Sequence, residues 1–288
     1  MLEDHKQLRK LQLEQYKILQ SVNDLCSKYG IEYYLLYGTL LGAVRHSKFI
    51  PWDYDIDIAM ERTQFNRFKS VVQELPDWLE VWDICYSSIE YAGLSRVVKP
   101  KDCVFGDIHI DIFIIDNARI TSNICTKING ALGRFLHIAK LSKAEKNILY
   151  EHFKDSKSKR FVVFLGDVLC GIFGSARIEK WIYLLLVSEY PTGRLVILED
   201  PSRVIRSEWL LETKMLKFED MDFPVPSGYE YLLKLWYGNY MEIPEEGKEY
   251  LRKEQMEEYC SLFCPYMVFP LRCIRKIKTA IDTLRETL

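Results

Sequence analysis

Leu8, Leu11, Ile18, Leu19, Val22, Leu25 and Cys26 recur at helical spacing, which predicts an amphipathic helix stopped by Gly30. The pattern then changes. Residues 31–37 are apolar enough for a strand, and a second helix is expected from Thr63, a fair N-cap, to Leu75, where Pro76 ends it. Strand-like stretches follow at 79–86, 94–98 and 108–115. Short strands alternating with helices predict an α/β (α+β) protein: a small mixed sheet flanked by helices.

From 119 to 190 the apolar spacing becomes helical, with Lys and Glu frequent over 140–160. The most hydrophobic run, 161–173, is too short to span a bilayer, which takes about 20 mainly apolar residues, and Asp167 and two glycines interrupt it. A buried helix of an inserted subdomain is expected, with a surface receiving a lipid-linked acceptor as the alternative. Pro191-Thr192-Gly193 marks a turn back into the core. Ser227 and Glu230 have capping-box spacing, so 231–237 should be helical and Gly238 should end it. Phe223-Pro224-Val225-Pro226 is a stiff extended lead-in to that helix. Leu271, Ile274, Ile277, Ile281 and Leu284 follow helical spacing beside Arg272, Arg275, Lys276 and Lys278. That is a basic amphipathic tail, packed on the core or lying on an anionic membrane.

The polar residues inside the strand patterns carry the chemistry. If 53–59 is a strand, Asp53, Asp55 and Asp57 point one way and Tyr54, Ile56 and Ile58 the other. Three like charges on one edge repel unless solvated or neutralised, and hard divalent cations prefer carboxylate oxygen. Upstream, the Gly38-Thr39 turn lets backbone N–H groups approach a phosphate, although such a dipeptide is more often simply a turn. Downstream, Asp107, His109 and Asp111 share a face opposite isoleucines. Asp111 can reach the same metals or take a proton from an attacking hydroxyl, whereas His109 fits a hydrogen-bonded structural role equally well. Arg45, His46 and Lys48 stand between the turn and the acid row, where positive charge would face phosphates. For Arg45 the alternative is a pair with a nearby aspartate.

These blocks resemble the LicD family, which includes fukutin and the fukutin-related protein. The resemblance rests on Gly38-Thr39-Leu40-Leu41-Gly42-Ala43-Val44-Arg45-His46, on Phe49-Ile50-Pro51-Trp52-Asp53 with Asp55-Ile56-Asp57, and on a late block running from Phe218-Glu219-Asp220 to Trp236-Tyr237-Gly238-Asn239-Tyr240-Met241. It implies a nucleotidyltransferase-type fold in which Gly38, Thr39, Asp55, Asp57 and Asp111 bind metal and phosphate. Asp53 ligates directly or holds the neighbouring ligands in place. One departure is Tyr54, where many relatives have aspartate; by strand alternation it should affect packing or the acceptor side. Glu219 and Asp220 are candidates for holding a cationic head group or ribose hydroxyls, against a solvated turn. Trp236, Tyr237 and Tyr240 could stack on a base, but their helical spacing suits the core.

The organisation expected is a nucleotidyltransferase-like catalytic core over 1–118, a mainly helical insertion over 119–199, a core-completing block over 200–245 and a helical tail over 246–288. The activity implied by the resemblance is transfer of a substituted phosphate, phosphocholine from CDP-choline or a related CDP-linked donor, to a hydroxyl of a cell-surface glycan or teichoic acid precursor. The cofactor would be Mg²⁺ or Mn²⁺, and the acceptor a glycan or lipid-linked glycan. Two rivals use the same fold: a nucleotidyltransferase attacking the α-phosphate of a triphosphate, and a non-catalytic nucleotide-binding protein.

Composition changes this picture little. The chain has 288 residues, 48% hydrophobic and 28% charged, with net charge −2, which suits a globular enzyme and argues against a dedicated nucleic-acid binder. The charged N-terminus lacks an apolar signal core, so a cytoplasmic site is expected, at the inner face of the membrane if the tail binds there. Eight cysteines without a CxxC pair are expected to be reduced. Cys260 and Cys264 could share a zinc, but packing is the better explanation of their spacing.

Overall fold

The computed structural model describes residues 2–83, 96–101, 108–119, 123–140, 156–197 and 203–245, together with 146–147, 150, 153–154, 200 and 247–248. Its first element is the long helix α1 (Leu2–Tyr29), whose buried stripe runs through Leu8, Tyr16, Ile18, Leu19, Val22, Leu25 and Cys26. Gly30, at φ 56°, ends it as expected. The following strand is shorter than its apolar run: β1 covers only Tyr34–Leu35. Tyr37, at φ 41°, turns the chain, and helix α2 (Tyr37–His46) starts at once. Gly38 and Thr39 therefore lie in the first turn of a helix rather than in a free turn.

Strand β2 (Asp57–Glu61) runs parallel to β5 (Ile110–Asn117), in register from Asp57 opposite Asp111 to Glu61 opposite Ile115. On the other edge of β5, β4 (Arg96–Pro100) pairs antiparallel with its start and β6 (Arg194–Ile197) with its end. Strands β3 (Leu79–Asp83) and β7 (Ile205–Arg206) extend β4 and β6, and β1 lies antiparallel against β2. The expected mixed sheet with helices around it is thus present. Helix α3 (Arg62–Val71) begins one residue before Thr63, with no side-chain cap. Its start is fixed by Arg62, which forks onto the buried Asp116 carboxylate at 2.9 and 2.5 Å. A short 3₁₀ turn, Val72–Glu74, ends this helix ahead of Pro76.

Two corrections concern the polar strand patterns. The ladder does not begin at Asp53 but at Asp57, so the alternation expected over 53–59 fails for Asp53 and Asp55, and with it the argument that placed Tyr54 on the opposite face. The cause lies on α1: buried Gln12 donates to the carbonyls of Ile50 and Asp53, at 3.4 and 2.7 Å, and buried Gln15 to that of Tyr54 at 2.9 Å. These carbonyls are taken by a helix, and residues 53–55 do not join the sheet. Likewise β5 starts at Ile110, leaving His109 just before it, while Asp107 lies outside the described residues.

The hairpin of β8 (Thr213–Phe218) and β9 (Met221–Pro226) forms a separate two-stranded sheet. Phe218, Phe223 and Val225 insert into the main core. Helix α7 (Tyr229–Tyr237) follows and ends at Gly238, φ 66°. The capping box is not formed. Gly228 is the N-cap, because the Ser227 N–H is taken by the Glu212 carbonyl and the Gly228 N–H by that of Trp209.

Between β5 and β6 lie α4 (Asn123–Lys140), α5 (Lys157–Phe173) and α6 (Ser175–Leu186), around a second small core that includes Leu136, Ala139, Ile178, Ile182 and Leu186. Thr192 donates to the Ala118 carbonyl and Gly193 takes φ 73°, making the expected turn into β6. The hydrophobic run 161–173 is helical but not buried: Val163 and Gly166 face the protein, while Phe161 is 58% and Ile172 66% exposed. The tail from 249 on, with Cys260 and Cys264, lies outside the described residues. Cys26, buried, and Cys170, half-buried, are free thiols.

Candidate active site

Helix α2 and strands β2 and β5 meet at Asp57. Its main chain is fixed twice: the Leu36 N–H donates to its carbonyl at 2.9 Å, and its own N–H donates to the Thr39 hydroxyl at 2.8 Å. Asp111, its in-register neighbour on β5, donates its N–H to Ile56 at 2.8 Å. Both side chains are buried. Asp53 packs against the Cα of Gly38 so closely that a methyl group there would overlap its carboxylate. Any larger residue at 38 would have to displace the Asp53 carboxylate, so it is this approach rather than its backbone angles that favours glycine.

The electrostatics follow from that crowding. Burial pushes the Asp57 carboxyl well above the usual carboxylate range, and the charges of Asp55, Asp111 and Asp53 push it further; a hydrogen bond from the Gly38 N–H opposes them. A buried carboxylate pressed by three others is a site that gains from a cation. Among the described residues no three acidic, imidazole or thiol side chains converge tightly enough to hold an ion by themselves. Mg²⁺ takes as few as one or two protein carboxylates and completes its shell with water and substrate phosphate oxygens. His109 stands 3.8 Å from Asp111, Nε2 to Oδ1, and burial lowers its pKa against the opposing pull of Asp55, favouring neutral imidazole.

Arg45 and His46 close the last turn of α2. Among the described residues Arg45 makes no ion pair with an aspartate, although the Asp53 charge acts on it. It donates from Nη1 to the carbonyls of Tyr240 and Glu242 at 3.1 and 3.5 Å and from Nε to His46 at 3.0 Å, and it covers the Trp52 ring at 5.9 Å. Burial lowers its pKa, while the Asp53 charge raises it. His46 is brought down to about 4 by burial and by the charges of Arg45 and Lys48, so it is neutral at physiological pH. Lys48 is exposed.

Glu219 and Asp220 sit at the tip of the β8–β9 hairpin, Glu219 at φ 62°. The Arg9 guanidinium grips Glu219 at 2.8 and 2.6 Å, and the Tyr16 hydroxyl donates to Asp220. The Glu219 N–H also donates to the Ser47 carbonyl at 2.9 Å. The two acids therefore dock the hairpin onto α1 and onto the chain leaving α2. Trp236 belongs to the core, 4.6 Å from the Tyr37 ring, which meets Phe113 edge-on at 5.1 Å. Tyr237 is exposed and Tyr240 half-buried.

Sequence reasoning missed Arg9, Gln12, Gln15 and Tyr16. Their signal was available: the apolar stripe of α1 has a gap between Leu11 and Ile18 that glutamines and a tyrosine fill on the buried face. Buried amides imply hydrogen-bond partners elsewhere.

Residues 30–132 match the family described as LicD/FKTN/FKRP, nucleotidyltransferase domain. The chain is 29% identical over 266 residues to the lipopolysaccharide cholinephosphotransferase LicD of Haemophilus influenzae, covering 83% of this chain and 93% of that protein. Over 31 residues it is 55% identical to the human ribitol 5-phosphate transferase FKRP, 11% of this chain and 6% of that one. An uncharacterized protein of Rickettsia typhi, RT0683, is 36% identical over 62 residues, covering 22% of this chain and 20% of its own.

Proposed function

We propose, from the match of residues 30–132 to the LicD/FKTN/FKRP family and the likeness to LicD over most of the chain, that this protein is a phosphotransferase acting on a glycan, and that it moves a substituted phosphate from a CDP-linked donor to a glycan hydroxyl. Phosphocholine from CDP-choline is the first candidate, since the relative matched over most of both chains is named for cholinephosphate transfer. The acceptor is a cell-surface glycan or teichoic acid precursor, free or lipid-linked, modified at the cytoplasmic side. The carrying observation is the buried in-register pair Asp57 and Asp111, with Asp55 and Asp53 raising the negative charge around it.

Asp55 and Asp57, with Asp111 beside them, would hold Mg²⁺ or Mn²⁺. The bound ion supplies neutralisation of the donor diphosphate and polarisation of its bridging bond. Asp111 accepts the proton of the acceptor hydroxyl as its oxygen attacks the phosphorus bearing the head group. The bond from that phosphorus to the bridging oxygen breaks in line, and CMP leaves. His109 stands beside Asp111, Thr39 and the Gly38 N–H fix Asp57, and Asp53 braces the start of α2. Arg45 and Lys48 give positive potential on the phosphate side.

The rival in which a nucleotide is attached from a triphosphate shares every one of these residues and differs in which phosphorus is attacked. Calorimetric titration of CDP-choline into the protein, with Mg²⁺ and with chelator, tests the reading. Binding that needs the metal and disappears in Asp57→Asn and Asp55→Asn is expected. Equal binding with chelator, or in those variants, removes the metal-site assignment.

A further inference from the structure

Helix α5 shows the protein a narrow face and solvent a broad one. Gly166 lies against Ala139 of α4, where an added Cβ would be 3.0 Å from the Ala139 Cα, and Val163 is fully buried beside it. On the opposite side Phe161, Phe164, Leu165, Val168 and Ile172, which lie on one face at helical spacing, are 40–66% exposed. One helix thus leaves five large apolar side chains in water along about three turns, an arrangement that monomeric soluble proteins rarely carry without a binding role.

The charges around this stripe select the occupant. Lys157, Lys159 and Arg160 form the exposed first turn immediately before it, and α6, which leaves α5 at a bend of 105°, presents exposed Arg177 and Lys180 followed by Tyr183 and Leu184. The single acid of α5, Asp167, is paired with buried Lys146 at 3.0 Å. No single helix among the described residues is long and apolar enough to cross a membrane, but α5 and α6 together reach the length and composition of one bent segment. Apolar side chains behind a collar of lysine and arginine match the interface of an anionic bilayer, with acyl chains taking the stripe and phosphates the collar.

We propose that α5 and α6 form a membrane-docking surface that seats the protein on one leaflet of an anionic phospholipid bilayer without spanning it. This surface lies outside the basic tail in sequence and is independent of the chemistry assigned to Asp57 and Asp111. Burying five such side chains favours partition strongly, and the basic turn adds a salt-sensitive attraction.

The test is flotation of the full chain with vesicles of phosphatidylcholine, with and without phosphatidylglycerol. The full chain should float with the anionic vesicles and less with neutral ones, and added salt should weaken the difference. Phe161→Glu/Phe164→Glu/Ile172→Glu, all at exposed positions, should lower the partition coefficient at least about tenfold while keeping the wild-type circular dichroism; Phe161→Ser/Phe164→Ser serves if that variant misfolds. Lys157→Glu/Lys159→Glu/Arg160→Glu should bind anionic vesicles no better than neutral ones. Arg272→Ala/Arg275→Ala/Lys276→Ala/Lys278→Ala should float as wild type. Failure of the wild type to float, unchanged flotation of the α5 variants, or loss in the tail variant alone overturns the proposal. So does a dimer in light scattering that the α5 substitutions dissociate without any vesicle binding, because the face would then belong to a second copy.

Discussion

Gln12 offers the sharpest test of how the acidic loop is held. Its side chain is 3% exposed, and its Nε2 donates to the Asp53 carbonyl at 2.7 Å and weakly to that of Ile50 at 3.4 Å. Gln12→Ala takes this donor from the half-buried Asp53 carbonyl, whereas the Ile50 carbonyl keeps the Asp53 N–H at 2.9 Å. An unsatisfied buried polar group costs about 1–3 kcal/mol; one acceptor lost gives about 2 kcal/mol. At about 2–4 °C per kcal/mol for a chain somewhat below this size, the melting temperature should fall by about 4–8 °C. Gln15 is a built-in contrast. Its Nε2 donates to Tyr54 at 2.9 Å, but its Oε1 is buried with no hydrogen-bond partner among the described residues. Removing an amide that is half unsatisfied should cost less, so Gln15→Leu should lose about 1 kcal/mol or less. The assay is thermal unfolding by circular dichroism beside kcat at saturating donor and metal. Because the released loop carries Asp53 and Asp55, kcat in Gln12→Ala should drop by about tenfold or more. A shift under about 1 °C with full activity, or greater damage from Gln15→Leu than from Gln12→Ala, would refute the reasoning.

Three further outcomes follow from the same geometry. Asp57→Asn should raise the melting temperature in chelator: the Asp57 pKa is raised by folding, so its contribution is most favourable below the unfolded value and is lost as pH rises through the folded one. The advantage of the variant over wild type should therefore grow as pH rises above the ordinary aspartate range, and melting curves in chelator that show no such divergence would contradict it. Gly38→Ala places a methyl group in the Asp53 carboxylate, so metal-dependent donor binding should fall while Gly171→Ala, at an open position, leaves it unchanged in the same titration. Cys26, whose thiol burial pushes up to about 12, should resist iodoacetamide in the native state at mildly alkaline pH and react on unfolding, as read by mass spectrometry.

What could be read from the chain was residue chemistry and periodicity, and what escaped was set by contacts distant in sequence. The α1 stripe, the Ile-rich β5 and the acids on the sheet were legible because each is a local pattern with one physical reading. The shape of 53–55 was not, because its carbonyls are claimed by glutamines about forty positions earlier, and no local pattern announces that. The Ser227 capping box failed for the same reason: hydrogen bonds to Trp209 and Glu212 fix Ser227 and Gly228 before the helix starts. Glu219 and Asp220 had the right chemistry for ligand binding, yet Arg9 and Tyr16 spend it on docking a hairpin. Hydrophobicity alone also cannot separate a buried helix from an exposed apolar one, which is why 161–173 pointed inward in the sequence and faces solvent in the fold.

The central claim is that Asp57, Asp55 and Asp111 serve attack on the phosphorus bearing the head group, and product identity tests it most directly. Wild-type protein incubated with CDP-choline, Mg²⁺ and a glycan acceptor, followed by ³¹P NMR and mass spectrometry, should give CMP in step with an acceptor carrying phosphocholine. Asp111→Asn should give neither product at a comparable rate, because an amide cannot take the hydroxyl proton. Pyrophosphate released from a nucleoside triphosphate, with the nucleotide left on the acceptor, would contradict the account.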